Sequence, residues 1–220
     1  MKIKNKLKQL FTKFALFFKS AFDVVAGICV LVIILPLFAF IAIAIKLDSS
    51  GPVLFKQQRV GINGKCFLIY KFRTMIENAE NIGAGLNIVD KDPRITVVGK
   101  ILRDWSLDEL PQIINIVKGE MSFIGPRPTL QYQVDNYSEH QFKRLCMKPG
   151  ITGWAQINGR NNITWEDRIE LDVWYVDNWS LWQDIKILLK TPKVVFSKDE
   201  VYSETGISYD FKGSDNVKKE

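Results

Sequence analysis

The sequence predicts an α/β protein associated with a membrane, in which an N-terminal re-entrant helical hairpin precedes a small helix-rich domain with a short sheet. Residues 24–45 form an uncharged run of 22 residues, VVAGICVLVIILPLFAFIAIAI, which is long enough for a bilayer core. The remaining chain alternates short helical and strand-like patterns with Pro and Gly stretches. We therefore expect an interfacial helix over 1–22, a membrane helix over 23–47, a folded domain over 48–197 and a flexible tail over 198–220.

Composition limits the kinds of site that the chain can build. Its 220 residues are 47% hydrophobic, enough for one domain with appendages, and its net charge of +6 indicates an anionic partner. That partner is nucleic acid, a phosphorylated substrate or a membrane surface. The three cysteines are far apart and predict neither a disulfide framework nor a paired metal site. His140 is the only histidine, which argues against a His-rich metal site and a Ser-His-Asp triad.

The charges on both sides of the apolar run predict its course. Six lysines and no acidic residue precede Asp23, and residues 46–75 carry six positive charges against Asp48 alone. The positive-inside rule thus places both ends in the cytoplasm, which a single crossing does not satisfy. Pro36 lies near the middle of the run and removes a helix hydrogen bond. We expect a re-entrant hairpin that breaks near Leu35 and Pro36, and a kinked helix that crosses once is the alternative.

Residues 3–22 have the pattern of a basic helix lying in the membrane interface. Apolar residues recur at helical spacing with lysines between them. They are Ile3, Leu7, Leu10, Phe11, Phe14, Phe18 and Phe22. An amphipathic helix that packs on the core is the alternative.

The folded domain is predicted to begin with two strands within residues 51–75 around a Gly-Ile-Asn-Gly turn, with Phe67, Ile69 and Phe72 in the core. A loop is expected over 77–92. Helical segments follow at 94–104, 107–118, 130–146 and 165–191. The last segment concentrates aromatic residues, and we expect most of them to pack in the core rather than to form a belt at headgroup depth. These residues are Trp165, Trp174, Tyr175, Trp179 and Trp182.

The stretch SLDELPQ, residues 106–112, sets Asp108 and Glu109 side by side before a proline. Ser106 followed three residues later by Glu109 is the pattern of a capping box at a helix start. A helix N-terminus also favours a carboxylate or phosphate beside it, so a capping box here is compatible with chemistry at Asp108.

Six arginines, three of them beside glycine or proline, form a second pattern around this acidic pair. Arginine's planar fork matches phosphate oxygens, and six such residues indicate a diphosphate site. They are Arg59, Arg73, Arg94, Arg103, Arg127 and Arg160. Nucleic-acid binding would use similar residues, but the chain has no RRM, zinc-finger or KH signature, and we expect no nucleic-acid partner.

In combination, three stretches resemble the bacterial sugar transferase family, the monotopic phosphoglycosyl transferases that act on a polyprenyl carrier. They are QQRVGINGKCFLIYKFRTM at 57–75, DPRITVVGKILRDWSLDELPQIINIVKGEMSFIGPRP at 92–128 and KPGITGWAQINGR at 148–160. With the apolar hairpin, the resemblance covers roughly residues 20–195. It implies that residues 48–197 are a catalytic domain on the cytoplasmic face of the bacterial inner membrane.

The resemblance implies transfer of a sugar-1-phosphate from a UDP-sugar to undecaprenyl phosphate, with release of UMP and with Mg²⁺ required. Asp108 and Glu109 match the family's catalytic pair. Asp108 resembles the nucleophile that forms a phospho-aspartate and also a metal ligand, and Glu109 assists by metal contact or by handling the acceptor's proton. The expected phosphate contacts are Arg127 and Arg160, then Arg73, Arg103 and Lys71.

One departure from the family concerns the hairpin, which commonly breaks at Ser-Pro, whereas Leu35 precedes Pro36 here. Without a serine hydroxyl, the backbone groups that the proline frees need another partner, and the hairpin angle stays open. Two other functions stay open as well: a glycosyl transferase that releases UDP, and a non-catalytic membrane scaffold for glycan assembly. The sequence identifies neither the sugar nor the glycan pathway nor the oligomeric state.

Overall fold

The computed structural model describes residues 2–82, 92–159 and 163–196. The helices are α1 Lys2–Asp48, α2 Val97–Asp104, α3 Ile113–Val117, α4 Gln131–Val134, α5 Glu139–Phe142, α6 Trp154–Ile157, α7 Trp165–Asp177 and α8 Leu181–Phe196. The strands are β1 Leu54–Val60, β2 Cys66–Phe72, β3 Ser122–Ile124 and β4 Gly150–Thr152. Short 3₁₀ helices span Ile62–Gly64, Ala79–Asn81, Leu107–Gln112 and Lys143–Cys146. The α/β class, mostly helical with a short sheet, is confirmed.

Helix α1 joins two segments that the sequence predicted as separate elements. It continues through Pro36 without ending there, although proline cannot donate to the carbonyl of Val32. Its portion Phe14–Asp48 is long and apolar enough to cross a membrane by length and composition. The re-entrant course relative to a bilayer stays a prediction. Phe14, Phe18 and Phe22 are exposed, and the remaining side chains named for the interfacial pattern lie outside the described ones.

One face of α1 packs on the domain near both ends of the apolar run. Asp23 and Gly27 are buried near its start, and Ile41 and Ile45 near its end. Helix α3 approaches Gly27 so closely that an added Cβ would lie 3.2 Å from Cγ2 of Ile116. The domain therefore holds the helix at points on both sides of Pro36.

The C-terminal end of α1 is fixed to the start of α2 by polar contacts. The Arg73 guanidinium donates to the carbonyls of Ser49 at 2.7 Å and Ile45 at 3.4 Å. A cation at the last carbonyls of a helix is favourable because of the helix dipole. The Asp48 carboxylate accepts from the Val98 N–H at 3.0 Å. The C-terminal end of α1 and helix α2 are thereby tied into one unit.

Strands β1 and β2 form the predicted antiparallel hairpin, with Val60 opposite Cys66. Asn63 and Gly64 in the turn have positive φ, as the Gly-Ile-Asn-Gly pattern predicts. The three expected core residues are buried: Ile69 and Phe67 pack with Ile116 and Met121, while Phe72 packs with α1 and Leu102. This core brings β2 against the segment that carries the acidic pair.

The second sheet was not predicted. Strands β3 and β4 are parallel and only three residues long, with Ser122 opposite Gly150 and Ile124 opposite Thr152. Strands this short give almost no alternation in the sequence, so periodicity does not reveal them. The pair places the segment after β3, Gly125-Pro126-Arg127, beside the segment that leads into β4.

Several predicted helices are shorter or divided in the structure. The expected helix at 130–146 is α4, α5 and a 3₁₀ turn, where Ser138 and Gln141 form a capping box for α5. The expected helix at 165–191 is two helices, separated at 178–180. Of its aromatics, Tyr175, Trp165 and Trp179 pack in clusters as expected, whereas Trp174 and Trp182 are 43% and 61% exposed. The expected tail at 198–220 and most of the loop at 77–92 lie outside the described residues.

Candidate active site

Asp108 and Glu109 lie in the first turn of the 3₁₀ helix Leu107–Gln112, which continues into α3. The predicted capping box is wrong. Ser106 has left-handed backbone angles, φ 53° and ψ 23°, and its side chain caps no N–H of the helix. A capping serine needs extended angles, so this backbone precludes the arrangement. A left-handed non-glycine residue costs about 1 to 2 kcal/mol, which is typical of functional turns.

Glu109 is held by two cations from different elements. Lys71 on β2 contacts Oε1 at 3.0 Å, and Arg127 after β3 donates from Nη2 to the same oxygen at 2.6 Å and from Nη1 to Oε2 at 3.4 Å. Burial raises the pKa of Glu109, but the charges and hydrogen bonds of Arg127 and Lys71 outweigh it and hold the pKa well below its usual range. Glu109 is therefore an ionised link between the two cations.

Asp108 has a different environment from its neighbour. It is half-buried, and within the described residues its carboxylate makes no hydrogen bond or ion pair. Burial raises its pKa above the ordinary value of 3.8, with a further increase from the charge of Glu109, while the charges of Lys71, Arg103 and Arg127 act in the opposite direction. The result is an open carboxylate beside three cations, which is the arrangement expected for an anion-binding nucleophile or metal ligand.

The structure places the predicted phosphate-binding residues in three different situations. Lys71 and Arg127 meet at Glu109, and Arg103 on α2 lies near Asp108 with its Nε bonded to Thr74 Oγ1 at 2.7 Å. Arg73 is 6% exposed and is committed to the end of α1, away from this cluster. Arg160 lies outside the described residues, and its predicted role stays a prediction. The predicted contact of Arg73 with substrate is not tested by the structure, and the hydrogen bonds of Arg73 to the end of α1 argue against it.

Close packing fixes Arg103 against Thr74, just after β2. Gly99 on α2 lies against the Thr74 carbonyl, where an added Cβ would be 2.0 Å from the oxygen. The Thr96 side chain caps the same helix by accepting from the Gly99 N–H at 3.0 Å. Any larger residue at 99 would move α2 and the Arg103 guanidinium away from Thr74.

Two supporting residues were missed by the sequence analysis. Arg144 is buried and donates to the Arg127 carbonyl at 3.0 Å, while its other nitrogens bind Asp172 at 2.8 Å and the Tyr137 hydroxyl at 2.6 Å. It therefore fixes the backbone that presents Arg127. Asp172 is 28 residues away in sequence, so no local spacing signals this pair.

Asn115 on α3 is the other missed residue. Its amide accepts from the Tyr70 N–H at 3.1 Å and donates to the Leu68 carbonyl at 2.7 Å, so it joins β2 to the helix after the acidic pair. The side chain is completely buried. It sets the position of Lys71 relative to Glu109, and its place between Ile114 and Ile116 in an apolar stretch is the only sequence signal.

The donor set at this site fits Mg²⁺ in the way that phosphate-transferring sites use it. Within the described part of the chain, no group of three or more His, Cys, Asp or Glu residues is close enough to hold a metal alone. Mg²⁺ is usually bound by one or two carboxylates together with substrate phosphates and water. Asp108 offers such a carboxylate, because Glu109 is already engaged by Lys71 and Arg127.

Comparisons with known proteins found one matching family and several similar proteins. The bacterial sugar transferase family matches residues 14–198. The chain is similar to the uncharacterized sugar transferase EpsL of Bacillus subtilis, with 44% identity over 90% of this chain and 98% of that protein. It is also similar to the undecaprenyl-phosphate galactose phosphotransferase of Salmonella typhimurium, with 40% identity, and to the undecaprenyl-phosphate glucose phosphotransferase of Komagataeibacter xylinus, with 42% identity.

Coverage differs between these relatives. The match to the Salmonella protein includes 92% of this chain but 44% of that protein, and the match to the Komagataeibacter protein includes 82% of this chain but 36% of that one. The chain thus spans less than half the length of either named phosphotransferase. The matched residues include the acidic pair, its cations and most of α1. Because the match covers most of its length, the chain belongs to the bacterial sugar transferase family.

Proposed function

We propose that this chain transfers a sugar-1-phosphate from a UDP-sugar to undecaprenyl phosphate, releases UMP and forms a phospho-aspartate on Asp108. As a member of its family the chain is a sugar transferase. Relatives named for phosphotransfer to undecaprenyl phosphate support this substrate class and a role in polysaccharide biosynthesis. The observation that carries the proposal is the contrast between an open Asp108 and a fully paired Glu109.

In the first displacement, an oxygen of Asp108 attacks the phosphorus that carries the sugar. The new Asp–O–P bond forms as the bond between that phosphorus and the oxygen bridging to the second phosphate breaks. UMP leaves with the bridging oxygen. A carboxylate attacks phosphorus only when it is ionised. The charges of Lys71, Arg103 and Arg127 favour the ionised form of Asp108, whereas burial disfavours it.

In the second displacement, an oxygen of the lipid phosphate attacks the same phosphorus. The Asp–O–P bond breaks, and the ionised Asp108 is restored while the sugar becomes linked to the lipid through a diphosphate. Dividing the transfer in this way avoids a direct reaction between two bulky anions. In the first step negative charge moves from Asp108 to the departing UMP, and in the second step it returns from the lipid phosphate to Asp108. The same three cations beside Asp108 therefore face the charged groups in both steps.

Glu109 has a positioning role in this proposal. It brings Lys71 and Arg127 within 3.0 Å of one oxygen, although the two side chains come from different elements. Both cations keep further N–H donors for a diphosphate, since an ammonium has three donors and a guanidinium five. Mg²⁺, which Asp108 would hold together with substrate phosphates, supplies further charge neutralisation on those oxygens when bound.

The proposed location is the cytoplasmic face of the bacterial inner membrane, with α1 re-entrant. Two contacts support a return of the chain to the same side. Asp23, before the apolar run, accepts from the Phe123 N–H at 3.4 Å, and Ile45, at its end, accepts from Arg73. Both contacts belong to one folded domain. A helix with both ends on one domain is easier to reconcile with re-entry than with a single crossing.

Helix α8 gives further support for a membrane surface on this side of the domain. Its exposed face carries large apolar side chains, and lysines on the same helix lie over or beside them. The exposed apolar residues are Leu181, Trp182, Ile185, Leu188 and Leu189. The buried Asp184 on α8 pairs with Lys19 of α1 at 2.8 Å, so α8 lies beside the proposed interfacial part of α1.

Nucleotide release from purified protein with Mg²⁺, undecaprenyl phosphate and a panel of UDP-sugars tests the proposed reaction. We expect UMP with at least one donor, whereas UDP would mean ordinary glycosyl transfer. Omitting the lipid should leave the protein heavier by one sugar phosphate, as read by intact mass. Asp108→Asn should lose both signals, and the matched control Asp104→Asn, four residues earlier, should keep them. No transfer with any donor, together with unimpaired glycan assembly by Asp108→Asn in cells, would favour the scaffold.

A further inference from the structure

Arg168, near the start of α7, belongs to a group of arginines beside the candidate active site. It lies four residues before Asp172, so the two side chains project from the same face of the helix. Asp172 binds Arg144 at 2.8 Å, and Arg144 donates to the Arg127 carbonyl at 3.0 Å. The face of α7 that carries Arg168 is thereby connected to the segment that presents Arg127.

The guanidinium of Arg168 is close to two others of the same charge. Burial and the charges of Arg127 and Arg144 lower the pKa of Arg168 to about 10, burial having the largest effect and Arg127 a larger one than Arg144. Asp172 opposes this decrease, but its carboxylate is already bonded to Arg144. Repulsion between Arg127 and Arg168 would be removed by an anion bound to both.

Trp165 holds the guanidinium of Arg168 in place. The Cζ atom of Arg168 lies 5.0 Å from the centroid of the indole, within the range of a cation–π contact. The indole itself packs against the core residues Ile169 and Val173 of the same helix. Arg168 remains half-buried, whereas Arg144 is only 3% exposed. A stacked guanidinium that keeps some accessible surface is suited to bidentate binding of a phosphate.

Within the described residues, the side chains around Arg127 carry a surplus of positive charge. Five cations face three carboxylates. The cations are Lys71, Arg103, Arg127, Arg144 and Arg168, and the carboxylates are Asp108, Glu109 and Asp172. A phosphate monoester carries a charge of about −1.5 to −2 near neutral pH. The surplus therefore favours a phosphate over a singly charged anion.

Arg127 lies between Asp108 and Arg168. Its charge acts on both residues, whereas the cations that act on Asp108 are Lys71, Arg103 and Arg127. In the proposed first displacement the phosphorus that carries the sugar is at Asp108, and the second phosphate of the donor departs with the nucleotide. Arg168, on the far side of Arg127, is therefore placed for that second phosphate.

We propose that Arg168, together with Arg127, binds the nucleotide phosphate of the donor and of the released UMP. The inference rests on the proposed function, in which UMP is the leaving group. A guanidinium at this phosphate stabilises the negative charge that moves onto UMP as the bond to the bridging oxygen breaks. Arg168 is a substrate-binding residue in this role, and no bond forms or breaks at its own atoms.

Binding of UMP, measured by calorimetry with the full chain in a non-ionic detergent and Mg²⁺, tests the assignment without turnover. Arg168→Met should weaken UMP binding about tenfold or more, because a charged contact with the phosphate is lost. Uridine, which lacks the phosphate, should bind the variant and the wild type equally. Lys143→Met is the matched control, since Lys143 forms an exposed ion pair with Asp177 on the same helix, and it should bind UMP like the wild type.

Four results would overturn the assignment. They are no binding of UMP by the wild type, unchanged UMP affinity in Arg168→Met, an equal loss for UMP and uridine, and an equal or larger loss for farnesyl phosphate. The third would indicate a structural role, and the fourth would assign Arg168 to the acceptor's phosphate. If Arg168→Met does not fold, Arg168→Lys replaces it, because lysine cannot bind a phosphate in the bidentate manner and should still weaken UMP binding several-fold.

The nucleotide-release assay judges the transferase separately. If the protein releases UMP while its UMP affinity does not depend on Arg168, only the role of Arg168 is refuted. If the protein releases UDP, the proposed transfer is refuted, and the contact between Arg168 and the nucleotide phosphate is still read from calorimetry.

Discussion

Replacing Glu109 by glutamine should destabilise the folded protein much more than replacing Asp108 by asparagine. Glu109 makes charge-assisted contacts with Lys71 at 3.0 Å and with Arg127 at 2.6 Å, and its side chain is 16% exposed. Each such hydrogen bond contributes about 1.5 to 3 kcal/mol, but the contribution of Arg127 is reduced because its side chain is 45% exposed. Glutamine keeps one weaker acceptor. We expect a loss of about 2 to 3 kcal/mol in the free energy of unfolding.

The assay is thermal unfolding in detergent, followed by tryptophan fluorescence. For a chain of this size the loss corresponds to a decrease in apparent Tm of about 4 to 12 °C. Because the pKa of Glu109 is held well below its ordinary value of 4.5, the stabilisation is fully present above pH 4.5 and is lost progressively at lower pH. The difference between wild type and Glu109→Gln should therefore be constant near neutral pH and narrow in acid.

Asp108→Asn is the matched comparison, since it neutralises the adjacent residue. Asp108 has no partner among the described residues and its pKa is raised by burial, so its charge is unfavourable in the folded state above that raised pKa. The amide should leave Tm unchanged or increase it near neutral pH, and the increase should vanish in acid. Equal decreases in Tm for the two variants would refute the distinction between a paired and an open carboxylate.

Three further outcomes follow from the same contacts. Arg127→Lys keeps the charge but loses the bidentate fork on Glu109, so KM for the donor should rise about tenfold or more in steady-state assays. Arg73→Met should lower the free energy of unfolding by about 1 to 3 kcal/mol in denaturant titrations and leave KM unchanged, because Arg73 donates a hydrogen bond at the end of α1. An altered KM would instead indicate that Arg73 contacts substrate. The rate of transfer should decline in acid at a pH above 3.8, the ordinary pKa of aspartate, because the pKa of Asp108 is raised. Lys71→Met should move this decline to higher pH, because Lys71 favours the ionised form of Asp108. Identical pH profiles for wild type and Lys71→Met would contradict an effect of Lys71 on Asp108.

The sequence was a good guide to the site wherever the chemistry depends on residue type. The acidic pair, Lys71, Arg103 and Arg127 were all named from their motifs, and the structure brings them into one cluster. The hairpin β1–β2 was equally predictable, because a turn with positive φ requires residues such as Asn and Gly.

The sequence was a poor guide wherever the outcome depends on tertiary packing. Arg73 has the same local signature as Arg103, but it is buried against the last turn of α1, and only the folded contact distinguishes the two. The prediction of a capping box at Ser106 was wrong because Ser106, the residue before the 3₁₀ helix, has left-handed backbone angles. Arg144 was overlooked because its role depends on a hydrogen bond to the carbonyl of Arg127, which lies 17 residues earlier in the sequence.

The contacts of α1 also determine the order in which the protein can assemble during its synthesis. Ser20 is bonded to Lys148, 128 residues later, and Asp23 to Phe123, 100 residues later. At 5 to 20 residues per second, the ribosome takes roughly 6 to 25 s to make the later partner of Ser20. In the later part of that interval the whole apolar helix has been made, while its docking surface is still being synthesised. The lipid bilayer or a targeting factor must cover the apolar surface of the helix first, and the domain then folds against a helix that is already in place.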